Sequence, residues 1–217
     1  MFGCLRRLGC LVLIALIAGI WYWYARVEPS RNSKSSSSTY VAGKWEALSE
    51  PGALRGQRAV TSLGQRSGPV FANLTASEAA SYIFLAVSKG RLPPSAQDIS
   101  SSIIADRLYV RSTLALNELG AKKVLGPLAG MLSERDSVIF GGTMRVIHPG
   151  LGQFLVEDVT LGALKVPSPL VPALVAEMRR GAIPEGVAKN GFPMPLPDYI
   201  ADIRIANGRI TVYKNTP

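Results

Sequence analysis

Apolar and polar positions divide the 217-residue chain into three stretches. From Leu8 to Tyr24 the sequence carries no charge for 17 residues and is mostly Leu, Ile, Val, Ala and aromatic. A bilayer span takes about 20 apolar residues, with about 17 as the lower limit, so the run predicts one transmembrane helix. It closes on Trp21-Tyr22-Trp23-Tyr24, rings that favour the headgroup level. No small-residue cleavage site follows these bulky aromatics, so the expectation is an uncleaved anchor and not a removed signal peptide. Arg6 and Arg7 before the run favour a cytoplasmic N-terminus, although Arg26, Arg31 and Lys34 after it bring the positive-inside balance close to even. Glu28 to about Thr39 is polar around Ser35-Ser36-Ser37-Ser38, the composition of a flexible tether. Lys44 to Gly68, with Trp45, Leu48, Leu54, Val60 and Leu63 scattered along it, reads as one or two helices on the domain or on the membrane surface.

Regular periodicity begins near Pro69. Thr75-Ala-Ser-Glu78 fits a capping box, and Ala76, Ala79, Ala80, Ile83, Phe84 and Val87 follow at helical spacing. They predict a helix over 76–89 stopped by Gly90. Leu108, Val110, Leu114 and Leu116 alternate with Tyr109, Arg111 and Thr113 as in a half-buried strand. An irregular or helical insert over 121–132 separates it from a second strand, 138–147, whose central Gly141-Gly142 predicts a bulge or a close backbone contact. A third strand, 154–166, changes parity at Glu157-Asp158, and a one-residue bulge there would restore its inward face. Ser168-Pro169 reads as N-cap and N1 of a helix with the stripe Leu170, Val171, Leu174, Val175 and Met178, ended by Arg179, Arg180 and Gly181. After a passage rich in Pro and Gly, Asn207-Gly208 joins the arms 199–206 and 209–213 of a hairpin. The order predicts an α+β fold: one N-terminal transmembrane helix, then a curved, mostly antiparallel sheet with two packed helices. Its parts are a leader and anchor over 1–27, a Ser-rich and basic stalk over 28–68, and an extracytoplasmic domain over 69–217.

Charge sharpens this division. Residues 1–68 hold nine Lys/Arg against three Asp/Glu, and residues 69–217 hold fifteen against twelve. The basicity lies beside the apolar run, where anionic headgroups attract it. A basic face with interleaved aromatics is not visible on the domain, so nucleic acid is not an expected partner. Cys4 and Cys10 are the two cysteines, and neither falls in the domain. Cys10 precedes the apolar core, where a lipoprotein cysteine would follow it; palmitoylation of either remains open.

Candidate chemistry is sparse. His148 is the one histidine and stands at a strand end before Pro149-Gly150, the place of a turn residue more than of a catalyst. No P-loop, GxSxG or HExxH pattern occurs. Glu157 and Asp158 are neighbours, and in a regular strand they point to opposite faces, so they are not expected to act as a pair. Asn73-Leu74-Thr75 matches a glycosylation sequon, though its Thr serves better as the helix cap. The chain is therefore expected not to be an enzyme and to need no metal or cofactor.

The helix "LTASEAASYIF", the passage "LVEDVTLGALKVPSPLVPALV" and the closing "IRIANGRITVY" resemble the YpmS-like and LmeA-like bacterial membrane-anchored extracytoplasmic domains, related in style to AsmA-like and tubular lipid-binding folds. The resemblance covers most of residues 69–217 and departs at the basic 44–68 segment and the Pro-rich 182–197 loop. It implies a single-pass protein of the cell envelope whose partner is membrane lipid. The expected function is binding of a lipid or other apolar ligand in a groove lined by Phe84, Leu108, Phe140, Met144, Phe154 and Leu164. The alternative is a non-catalytic envelope scaffold or interaction module with a protein partner. A hydrolase would require polar groups converging near His148.

Overall fold

A computed structural model describes residues 44–87, 95–179 and 182–215. The expected anchor and tether, Gly90, Arg180 and Gly181 lie outside the described residues. The described residues form an α+β domain, and every strand pairing among them is antiparallel. Among the described residues no helix is long and apolar enough to cross a membrane.

The packed body begins upstream of residue 69. The short strand β1 (Glu46–Ala47) leads into helix α1 (Glu50–Leu63), which Ser49 caps by accepting from the Gly52 amide. Leu63 and Val60 of this helix are buried in the core, so this part of the basic 44–68 segment belongs to the domain and is not stalk. Two glycines one turn apart let α1 lie close to helix α2 (Ala76–Ser81). A Cβ on Gly56 would stand 2.7 Å from the Glu78 carbonyl oxygen and 2.9 Å from Tyr82 Cβ. The pair is tied at its ends by Ser49 N to Ser81 Oγ, 3.1 Å, and by Arg55 to Glu78, 2.7 Å.

Helix α2 starts as expected: Thr75 accepts from the Glu78 amide and Glu78 reaches back to the Thr75 amide. Its second half differs, because Tyr82–Val87 winds as a π-helix, a rare form in which the hydrogen bonds span five residues and the turn widens.

The large sheet runs in the order β1-β3-β4-β5-β6-β7, with β8 also paired to β6. Its strands are β3 (Gln97–Ile104), β4 (Arg107–Ala115), β5 (Arg135–His148), β6 (Leu151–Leu161), β7 (Leu164–Lys165) and β8 (Gly191–Pro195). The insert after β4 is helical, as helix α3 (Ala121–Leu125) followed by a 3-10 stretch, Gly126–Met131. The bulge falls where parity required it. Gly141 pairs with Asp158 and Gly142 with Val156, leaving Glu157 as the extra residue on β6. Val156 and Val159 on either side are both fully buried. A Cβ on Gly142 would overlap the Leu155 carbonyl, so this strand crossing admits only glycine.

The smaller sheet has the order β2-β10-β9, from β2 (Phe71–Leu74), β9 (Ile200–Ala206) and β10 (Arg209–Lys214). Asn207 and Gly208 both take positive φ, 52° and 71°, the type I′ geometry that Asn-Gly favours. Helix α4 (Val171–Met178) follows a 3-10 turn, Ser168–Leu170, and Ser168 makes no capping bond to it. Arg179 closes the helix end with its backbone amide, which donates to the Val175 carbonyl, but its side chain turns elsewhere. Its guanidinium donates to the carbonyls of Ala188 and Gly191 and pins the Pro-rich loop.

Two hydrophobic clusters result. The first joins α1, α2, the smaller sheet and one end of the large sheet around Leu63, Leu74, Ala79, Leu108, Ile203 and Ile210. The second packs α3 and α4 on the other end around Leu119, Val138, Val156, Val159, Leu161 and Leu174.

Candidate functional site

The helix-facing side of the first cluster contains a partly open apolar cavity of about 40 Å³. Its walls are Val60 of α1, Ala79, Tyr82 and Ile83 of α2 and its π-helical continuation, Leu74, Ile210 and Val212 of the smaller sheet, and Met144 and Met194 of the large one. Of the lining side chains only Tyr82 carries a polar atom, and burial raises the pKa of its phenol, with the neighbouring Tyr199 adding to the shift. Tyr199 closes the same region by donating to the Val60 carbonyl at 3.2 Å. Two thioethers and a π-helical turn make this wall adaptable, since Met side chains repack at low cost.

The six residues expected to line a groove are divided between the clusters. Leu108 and Met144 are buried in the first, with Phe84 packed against it. Phe140 and Leu164 pack against the second, and Phe154 bridges both. Met144 alone of the six reaches the cavity. Phe140 instead makes an edge-on contact with Phe192 of β8, ring centroids 6.3 Å apart. The parity of these residues placed them on inward faces, but which inward face had room depended on α1 and β8, elements whose pattern is weak.

On the opposite face of the large sheet lies a polar cluster. Arg107 binds Glu157 Oε2 at 3.0 Å and Asp158 Oδ2 at 2.7 Å with its two terminal nitrogens. Tyr109 donates to Asp158 at 3.2 Å, Thr143 to Glu157 at 3.3 Å, and Lys165 stands 3.9 Å from Asp158. The expectation that Glu157 and Asp158 point apart is therefore corrected. The bulge breaks the alternation and turns both carboxylates to the same guanidinium. Burial raises the Tyr109 pKa and the Asp158 charge raises it further. Desolvation works to lower the Arg107 pKa, but the two carboxylates outweigh it and the guanidinium is held charged more firmly than usual. Both acids are engaged by cations, so the arrangement ties β4 to β6 across β5.

His148 is exposed at the end of β5, with Nδ1 2.8 Å from the Pro149 carbonyl. Among the described residues no three His, Cys, Asp or Glu side chains gather as a metal ion would need.

Comparison with protein-family models, with curated proteins and with solved structures found no match for the chain.

Proposed function

We propose that the chain is a non-catalytic, membrane-anchored domain of the cell envelope that takes an apolar ligand, such as part of a lipid, between α1, α2 and the two sheets. The observation that carries this reading is the cavity. It has apolar walls, it opens partly to the surface, and its helical side includes Tyr82 and Ile83 of the π-helical segment. The uncharged run over 8–24 and the resemblance noted for residues 69–217 point the same way.

At about 40 Å³ the cavity in its present shape holds little more than a methyl-sized group. A pocket that encloses a drug-sized molecule has roughly 300–1,000 Å³. Uptake therefore requires the wall formed by Tyr82 and Ile83 to move outward, a step that Met144 and Met194 would follow by changing rotamer.

Native mass spectrometry of the full chain, extracted from cells in mild detergent, tests the reading. A bound lipid mass is expected, and Ile83→Trp, which fills the cavity, should remove it while the protein stays folded. A clean mass for the unaltered chain would defeat the proposal. It would move weight to a scaffold or interaction module, a reading favoured by the small size of the cavity and the close packing of the second cluster.

A further inference from the structure

We propose that the outer corner of the smaller sheet, at Val70, Phe71 and Tyr213, seats on an anionic lipid surface. The inference deepens the membrane-anchored reading above and rests on it.

The inner side of this sheet is filled by Leu74, Ile203, Ile210 and Val212, so its outer side is free of any core role. Val70 and Phe71 are each 51% exposed, an uncommon state for two adjacent large apolar residues. Phe71 lies against Tyr213 of the neighbouring strand, ring centroids 6.1 Å apart and planes 43° to one another. The Arg204 guanidinium covers the Tyr213 ring at 5.2 Å. Cations lie beside this apolar corner, with the Asp202 carboxylate opposite Tyr213 in the sheet. Lys214 Nζ donates to the carbonyls of Gln65 and Gly68, both at 3.3 Å, which places its charge on the turn that carries Arg66 and Val70. Among the described residues neither Arg66 nor Lys214 forms a salt bridge; Arg204 is bonded to Asp202 at 2.7 Å.

An apolar and aromatic tip with Arg204 on one side and Lys214 and the Arg66 turn beside it matches the lipid interface, where rings settle at the headgroup level and anionic headgroups attract Lys and Arg. It suits nucleic acid less well. One face of Tyr213 is already covered by Arg204 and Phe71 is tilted away from it, so no flat pair of rings is free for base stacking. An anionic surface also fits the sequence, since the chain carries its own apolar run at 8–24.

The test uses the full chain in phosphatidylcholine vesicles with and without phosphatidylglycerol, with the photo-crosslinker benzoylphenylalanine in place of Phe71. The control carries it at Ile183, an equally exposed apolar position (48%) in the Pro-rich loop. Lipid adducts at position 71 should exceed those at 183 several-fold in the phosphatidylglycerol vesicles. They should fall when Arg66→Glu is added and when salt is raised. Equal adduct yields at 71 and 183, or adducts at 71 that are protein or nucleic acid, would overturn the inference while leaving the cavity proposal standing. A chain that does not float with vesicles at all overturns both the seat and the membrane-anchored reading.

Discussion

The two hydrophobic clusters are built from the same large sheet, yet they are packed differently. Under α4 the fully buried side chains are Leu119, Leu161, Leu174, Val138, Val156, Val159 and Val175, compact groups with few rotamers. Under α1 and α2 the space is closed by Met144, Met194, small alanines and a π-helical turn, and the cavity lies there. None of the residues that line it belongs to the other cluster. The difference separates a region packed without open space from one whose packing leaves a small cavity.

The largest effect should come from the compact side. Leu174→Ala removes a fully buried side chain from a site with no slack, and a loss of about 4 kcal/mol is expected in chemical denaturation. A loss below about 2 kcal/mol would show that this cluster also relaxes freely. The bulge that supports both clusters is next. Gly142→Ala drives a methyl into the Leu155 carbonyl and should cost about 3 kcal/mol by the same measurement.

Adding a methylene to each region sets them against one another directly. Val159→Ile overpacks the compact cluster and should lose about 1–2 kcal/mol, whereas Val212→Ile extends into the cavity and should be close to neutral. Equal losses would erase the distinction between the clusters.

The smallest effect concerns the start of α2, which holds one wall of the cavity. Thr75→Ala removes its cap and should cost about 1 kcal/mol. Burial works to raise the Glu78 pKa, but bonds from Arg55 and Thr75 outweigh it and hold the carboxyl below its ordinary 4.5. A lowered folded pKa means that this contribution is complete above 4.5 and is lost as pH falls through the folded value. Glu78→Gln should therefore flatten the acid side of the stability profile slightly, by no more than a partly exposed ion pair contributes.

Much of the fold was legible because local chemistry specified it. Thr75 and Glu78 announce a capping box, Asn207-Gly208 announces a type I′ turn, and the parity change at Glu157-Asp158 announces a bulge. Other elements carried little local signal. Strand β3 reads Gln-Asp-Ile-Ser-Ser-Ser-Ile-Ile, where buried Ser100, Ser101 and Ser102 take places that an alternating pattern would give to apolar residues. Helix α1 contains Gly52 and Gly56, which lower helix propensity and make sense only against α2.

The sequence by itself determined the α+β class, the antiparallel closing hairpin, the position of the bulge and the inward faces of the strands, because each follows from contacts within a few residues. Tertiary structure decided the rest. It turned Glu157 and Asp158 to the same arginine, placed the only expected groove residue that reaches open space, Met144, beside Met194, and brought Phe71 to Tyr213 across 142 positions of sequence. Room inside a core is a property of how separate elements meet, and no periodicity along one strand encodes it.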